Sequence, residues 1–283
     1  MGAVVRAAHN REDCQKDMFP REYGDMKQKR YTLGLGACAA LVGLLFTLSA
    51  IDLLWSRPLH DNGDEVRMSG LALQANTEAN TWTNLNPTHK PSARWGHAMA
   101  YDSKSDRVVL FGGGPGGTWV YDFDANTWTD MNPPLAPTVK TGHAMAYDSK
   151  SDRVVLFGGD DGLVDRGDTW AYDVKTNTWT NMNPARAPMG RRSHVLTYDA
   201  QSDKAILFAG CLWPCKGISD LNNETWAYDF DANTWTDMNP PLAPSNRWIS
   251  AMVYDSQSHR FILFGGSLGG GVISDETWAY RYR

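Results

Sequence analysis

Gly-His-Ala-Met-Ala-Tyr-Asp-Ser-Lys-Ser-Asp-Arg-Val-Val-Leu-Phe-Gly-Gly occupies residues 96–113 and returns unchanged at 142–159. Drifted copies begin at His194 and Ser250. A second block, Thr-Trp-x-Tyr-Asp-x-x-x-Asn-Thr-Trp-Thr-x-Met-Asn-Pro, starts at Thr118, Thr169 and Thr225, and the head of a fourth copy stands at Thr277-Trp-Ala-Tyr280. Its first tryptophan falls at Trp119, Trp170, Trp226 and Trp278, a period of about 50 residues, which signals an array of equivalent units and not one irregular domain.

Each unit reads as four short strands. Ala98-Met99-Ala100-Tyr101 is rich in small residues, as suits a strand crowded against its neighbours at an axis. Val108-Val109-Leu110-Phe111 is apolar on both faces, as a sandwiched strand must be. It runs into Gly112-Gly113, where close backbone approach or positive φ favours glycine. Trp119-Val120-Tyr121 alternates large aromatics on one face, and Asn126-Thr127-Trp128-Thr129-Asp130 is polar apart from one Trp, as befits an outer edge. The fold class expected is all-β, a β-propeller of four blades.

The glycine pairs at 112–113, 158–159 and 265–266, then Tyr121, Tyr172, Tyr228 and Tyr280, then Trp128, Trp179 and Trp235, resemble the kelch signature, and the resemblance covers residues 77–283. One unit departs from it with Ala209-Gly210. Asn80-Thr81-Trp82-Thr83-Asn84-Leu85-Asn86-Pro87 reads as a fourth strand with no blade before it, and Arg283 follows a third strand. The first piece is expected to complete the last blade and close a four-bladed ring, as in similar propellers. The alternatives are that two chains combine, as a homo-oligomer, or that the ring is otherwise incomplete.

The N-terminal part differs in kind. Leu33 to Ile51 carries no charge and is long enough to span a bilayer as a helix, with Tyr31 and Trp55 at its ends in headgroup positions. Lys16, Arg21, Lys27, Lys29 and Arg30 precede it and only Arg57 and Arg67 follow, which places the N-terminus in the cytoplasm. The organisation expected is a cytoplasmic tail (1–30), a transmembrane signal anchor (31–55), a linker (56–76) and an exported repeat domain (77–283). The rival reading is a signal peptide starting at Met26 and cleaved after export. A net charge of −5 argues against nucleic acid as a partner.

In an up-and-down blade the loops 1–2 and 3–4 share one face, and the loops 2–3 and 4–1 share the other. The first face is nearly constant, with Asp-Ser-Lys-Ser-Asp and Asp-Phe-Asp-Ala-Asn recurring. The second varies, from Gly114–Gly117 to the long stretch Cys211–Glu224, and insertions confined to one face often mark a binding surface. At the start of each first strand on that face stand Arg94, Lys140, Arg191 and Arg247, followed three residues later by His97, His143, His194 and Ser250. Ringed around the axis, the cations could attract an anionic ligand, and Trp95 and Trp248 could stack on a sugar. The structural alternative is that Arg and His bridge neighbouring blades through backbone carbonyls.

No metal or cofactor is expected, since the three histidines would have to converge across the channel. Gly112–Gly117 satisfies Gly-x-Gly-x-x-Gly but leads into a strand, so it reads as a loop. Asp122–Asn126 lacks the later ligands of a calcium loop and reads as a hairpin turn. Cys211 and Cys215, in an exported domain, are expected to form a disulfide that stiffens their loop, leaving Cys14 and Cys38 free. The function expected is a membrane-anchored recognition or scaffolding module for a protein or carbohydrate partner. The kelch resemblance also admits an enzyme of the copper-oxidase or sialic-acid mutarotase kind; the copper site needs a Tyr–Cys crosslink, for which no exported cysteine is left once Cys211 and Cys215 pair.

Overall fold

The computed structural model describes residues 80–138 and 141–282. Lys140 and the tail, membrane segment and linker expected over residues 1–76 lie outside them. Among the described residues no helix is long and apolar enough to cross a membrane.

The architecture is that of an all-β, four-bladed propeller, each blade an antiparallel meander. Blade 1 is β1 (His97–Asp102), β2 (Arg107–Gly112), β3 (Thr118–Asp122) and β4 (Thr127–Asp130). Blade 2 is β5 (Ala144–Asp148), β6 (Arg153–Phe157), β7 (Thr169–Asp173) and β8 (Thr178–Asn181). The segment entering blade 3 pairs as β9 (Arg191–Arg192), and the blade itself begins with β10 (Val195–Asp199) and β11 (Lys204–Phe208). Next come β12 (Cys211–Leu212), which pairs back on β9, and a 3-10 turn at Ile218–Asp220. Then β13 (Thr225–Asp229) and β14 (Thr234–Asp237) complete the blade. Blade 4 has β15 (Ala251–Asp255), β16 (Arg260–Phe264), a hairpin of β17 (Ser267–Gly269) and β18 (Val272–Ile273), and β19 (Thr277–Tyr280).

The core lies between blades. Val109 and Phe111 of β2 and Val120 of β3 meet Met145, Val154, Leu156, Trp170 and Trp179 of blade 2. Val155 and Phe157 of β6 meet Leu196, Leu207, Trp226 and Trp235 of blade 3 in the same way. The second strands of blades 1 to 3 are therefore buried on both faces, which is why they read as unbroken apolar runs. The outer tryptophans are almost fully buried with them: Trp179 donates its indole N–H to Thr118 Oγ1 at 2.9 Å, and Trp235 does so to Thr169 Oγ1 at 2.8 Å.

Junctions are also tied at the outer rim. Asn177 Nδ2 donates to Met131 O at 2.6 Å, and Asn233 Nδ2 to Met182 O at 2.7 Å.

The expected closure is corrected in one respect. Among the described residues the fourth sheet has three strands, and residues 80–86 form none. Inner strands pack in the order β1, β5, β10, β15, but β1 and β15 form no junction comparable to the other three. The outer flanks stay bare: Met99 and Tyr101 are 51% and 55% exposed, and Val253 and Phe264 are 62% and 57% exposed. The local sequence does specify an outer-strand end at Asn84–Pro87, yet that end is seated on blade 1, where Asn126 Nδ2 donates to Leu85 O at 2.8 Å. Closure also requires blades 1 and 4 to meet, which repeat spacing alone does not dictate.

Candidate functional site

The constant face is constant because its turns use up its side chains. In the first turn of blade 1, Asp102 Oδ1 accepts from the backbone of Lys104 and Ser105 at 3.0 and 3.1 Å, and Tyr101 Oη donates to Asp106 at 2.7 Å. Asp148 and Tyr147 repeat the pattern in blade 2. Asp106, Asp152 and Asp203 have φ of 55°, 61° and 57°, a left-handed conformation that Asp tolerates. In the 3–4 turns Tyr121, Tyr172 and Tyr228 each donate to the turn asparagine at 2.8 Å. Arg107–Asp122 and Arg153–Asp173 then cross-link strands two and three at 2.6 and 2.9 Å. The stretch Asp122–Asn126 is thus a hairpin turn, with Ala125 N donating to Asp122 Oδ1.

On the variable face each 4–1 segment runs beside the 2–3 loop of its own blade. Thr141 bridges to Asp160, β9 pairs with β12, and Trp248 bridges to Ser267. The arginines lock this pairing. Arg94 Nη1 donates to Gly112 O and Gly116 O, both at 2.9 Å. Arg191, fully buried, donates to Ala209 O at 3.1 Å, to Asn222 Oδ1 at 3.0 Å and to Glu224. Arg247, also fully buried, donates to Gly265 O at 2.9 Å and to Glu276 at 2.7 Å. These three guanidinium groups point into the blade and are spent on it, within one blade and not between two. Burial pulls the Arg191 pKa below its ordinary value, and Glu224 partly offsets this.

The histidines do lie between blades. His143 Nε2 sits 3.0 Å from Phe111 O, and its ring meets Phe111 edge-on at 5.5 Å. His194 meets Phe157 likewise at 5.5 Å. Burial pulls His143 down to about 4 and His194 down to about 3, so both are neutral at ordinary pH. His97, on the bare flank of β1, is exposed. Among the described residues no three His, Cys, Asp or Glu side chains are grouped to hold a metal.

One buried carboxylate lies in the 2–3 loop of blade 2. Asp165 has neither oxygen hydrogen-bonded and lies 3.5 Å from Arg192 Nε; burial raises it to about 6. Nothing in the repeat pattern singles it out, because it sits in an insertion particular to blade 2.

This face also offers apolar side chains to solvent. Trp95, at 59% exposure, Leu163, Met189, Trp213, Ile218 and Ile249 all project from its loops. Trp248 is half-buried, and its indole nitrogen is enclosed without a partner. Cys211 and Cys215 are bonded, with the sulfurs 2.03 Å apart, and Trp213 stands at the tip of the loop they close. Asn222 Nδ2 donates to Gly210 O and anchors the far side of that loop.

The description of a KLHDC2/KLHL20/DRC7 Kelch-repeats domain matches residues 61–266, well over half of the chain. The chain belongs to this kelch-repeat family. The match begins at residue 61, upstream of the described residues. Among solved structures, "Structure of YjhT" superposes with a TM-score of 0.58 and 19% identity, over 70% of this chain and 66% of that one. That likeness carries the fold alone. Kelch-repeat propellers of this kind serve as protein-binding or enzyme-like modules.

The sequence singled out Trp95 on this face and missed Leu163, Met189 and Trp213. The available signal was an apolar residue inside each insertion, in a position where no strand needs one.

Proposed function

We propose that this kelch domain is a recognition module that docks a protein partner on its variable-loop face, held outside the cytoplasm by a membrane anchor at residues 31–55. The observation that carries the reading is the contrast between faces. The turn face spends its polar groups on its own backbone, while the loop face displays tryptophans and aliphatic side chains on loops held by Arg191, Arg247 and a disulfide. Exposed apolar groups on a rigid platform are the anchors that protein interfaces use. Arg94, Arg191 and Arg247, first suggested as anion ligands, are already paired with carboxylates or capped by carbonyls, which lowers the case for an acidic sugar. A carbohydrate partner would instead have to stack on Trp95 or Trp213.

The test is a binding screen of the full chain in lipid nanodiscs against surface proteins and glycans, beside a variant carrying Trp95→Ala and Trp213→Ala. Loss of a specific protein hit, with unchanged thermal stability, supports the reading. A hit that survives both substitutions overturns the assignment of the face, and a glycan-only hit overturns the partner class.

A further inference from the structure

The 2–3 loops of blades 2, 3 and 4 differ in sequence and length, yet their backbones are built alike. Asp160 bridges to Asp165, Cys211 bridges to Leu221, and Ser267 pairs with Ile273. In each loop the next N–H closes the same bond: Arg166 N donates to Gly159 O at 2.7 Å, Asn222 N to Gly210 O at 3.1 Å and Ser274 N to Gly266 O at 2.9 Å. The entry to the following blade then seals the loops of blades 2 and 3, with Arg191 N donating to Arg166 O and Arg247 N to Asn222 O, both at 3.1 Å. Asp165 therefore occupies the place that blade 3 gives to the buried Leu221.

An aliphatic side chain suits that place and a carboxylate does not. The side chain of Asp165 is wholly enclosed, and neither oxygen accepts a hydrogen bond. Gly190, in the entry to blade 3, lies so close that a Cβ on it would stand 2.2 Å from Asp165 O. Among the described residues the cation beside the carboxylate is Arg192, whose Nε is 3.5 Å away and likewise without a hydrogen bond, while its Nη1 is drawn to Asp160 at 3.0 Å. The other charges on the elements around it share its sign or are committed elsewhere. Asp160 and Asp161 repel it from its own loop, Arg166 is paired with Asp161, and Arg191 is turned into blade 3 toward Glu224. His143 and His194, in the flanking junctions, stay neutral down to about 4 and about 3 because burial disfavours their charge. A carboxyl enclosed in this way favours its neutral form, and burial raises it to about 6.

We propose that Asp165 is an acid-closed latch between the 2–3 loop of blade 2 and the entry to blade 3. Neutral, it shuts the junction as leucine does in blade 3; ionised, it draws water, and the loop parts from Gly190 and Arg191. Leu163, at the tip of that loop, and Met189, just before Gly190, are 67% and 65% exposed and ride on the two sides of the latch. Acid therefore fixes both as one apolar surface, and higher pH frees them to move apart, a control on docking that rests on the reading of this face proposed above. The latch itself is read with no partner present, so either can fail alone.

The sign follows from which form the closed state prefers. A closed junction that keeps the carboxyl neutral gains as pH falls and loses ground as pH rises to about 6. Against an open form titrating at about 3.9, the gain from about pH 7.5 to about pH 5 is roughly tenfold in the closing equilibrium.

Hydrogen–deuterium exchange of the full chain in lipid nanodiscs, with rates divided by the intrinsic rate at each pH, reads the bonds made by Arg166 and Arg191 N–H. The quantity taken is the protection of Asp165→Asn over that of the unsubstituted chain, a ratio in which the contributions of His143 and His194 cancel. It should fall roughly tenfold between those two pH values at residues 159–166 and 189–192. It should stay level for the matching bonds of Asn222 and Arg247 N–H. Asp165→Leu, which supplies the side chain blade 3 uses, gives the same comparison if the asparagine chain does not fold. A ratio that is the same at both pH values overturns the latch. So does one that changes equally at Asn222 and Arg247, which would make the effect one of overall stability.

Discussion

Thr118→Val removes one hydroxyl at a blade junction and nothing else of size. Thr118 is fully buried, and its Oγ1 is the acceptor for the indole N–H of Trp179, itself 1% exposed and packed on Phe111 and Tyr172 at 5.0 and 4.8 Å. With valine in place the N–H has no acceptor and no path to water, which costs about 1–3 kcal/mol. In a domain of this size about 2 kcal/mol lowers the unfolding temperature by roughly 4–8 °C. Thermal unfolding followed by far-ultraviolet circular dichroism reads the shift. Thr169→Val, facing Trp235, should match it. Pairing Thr118→Val with Trp179→Phe isolates the bond, and the double-mutant cycle should return a coupling of about 1 kcal/mol. Additive effects, or a shift of less than about 1 °C for Thr118→Val, would show that indole and hydroxyl do not hold the blades together. Thr225→Val is the internal comparison. Among the described residues no indole bonds Thr225, so its substitution should be near neutral in the same melts.

Acid should weaken the fold through its histidines: with folded values near 4 and 3 against about 6.5 unfolded, His143 and His194 supply stability above pH 6.5 that is lost as pH falls toward those values. Asp165 runs the other way, since a carboxyl raised to about 6 gains relative stability as pH falls from 6 toward 4, so Asp165→Asn should steepen the acid loss seen in urea midpoints. Opening the Cys211–Cys215 bond by Cys215→Ser should cost about 2 kcal/mol or less, given the short loop, and weaken partner binding more than it weakens the fold. Gly158→Ala should unfold the domain or nearly so, because a Cβ there would stand 2.6 Å from Arg191 O, whereas Gly116→Ala meets nothing and should cost only the strain of its φ of 79°, about 1 kcal/mol, in the same melts.

The repeats made the blades legible before any coordinates. Small first strands, apolar second strands and polar fourth strands follow from where each must sit, and β1 to β4 fall within a residue or so of the strands read from the pattern. The arginines were less legible. A cation at a strand entrance can reach for the axis or fold back on its loop, and the strand pattern is the same in both cases. The deciding residues were Glu224 and Glu276, each just before a Thr-Trp pair in a blade whose entrance residue is Arg191 or Arg247. Closure was the least legible feature, because it depends on the rotation between blades, which small differences at each junction accumulate and no single residue encodes.

The division of labour between the two faces follows from the same physics. A turn of five residues that must reverse a strand leaves little freedom: Asp caps the backbone, Asn or Asp takes the left-handed position, and Tyr reports back to the turn. Substitution of these turn residues costs stability, so they are not free to serve a partner, and what that face leaves to solvent includes Phe123 and the side chains of Lys150 and Lys175. The loops of the other face are fixed differently, by long-range ties from Arg94, Arg191 and Arg247 to carbonyls at their bases. A loop held at its base can change length and tip without disturbing the blade. Trp213 at the tip of a disulfide-closed loop, above a buried Arg191 that secures it, uses this freedom: the costly ordering is done by the fold, so a partner meeting that tryptophan gains its contact area with little further loss of entropy.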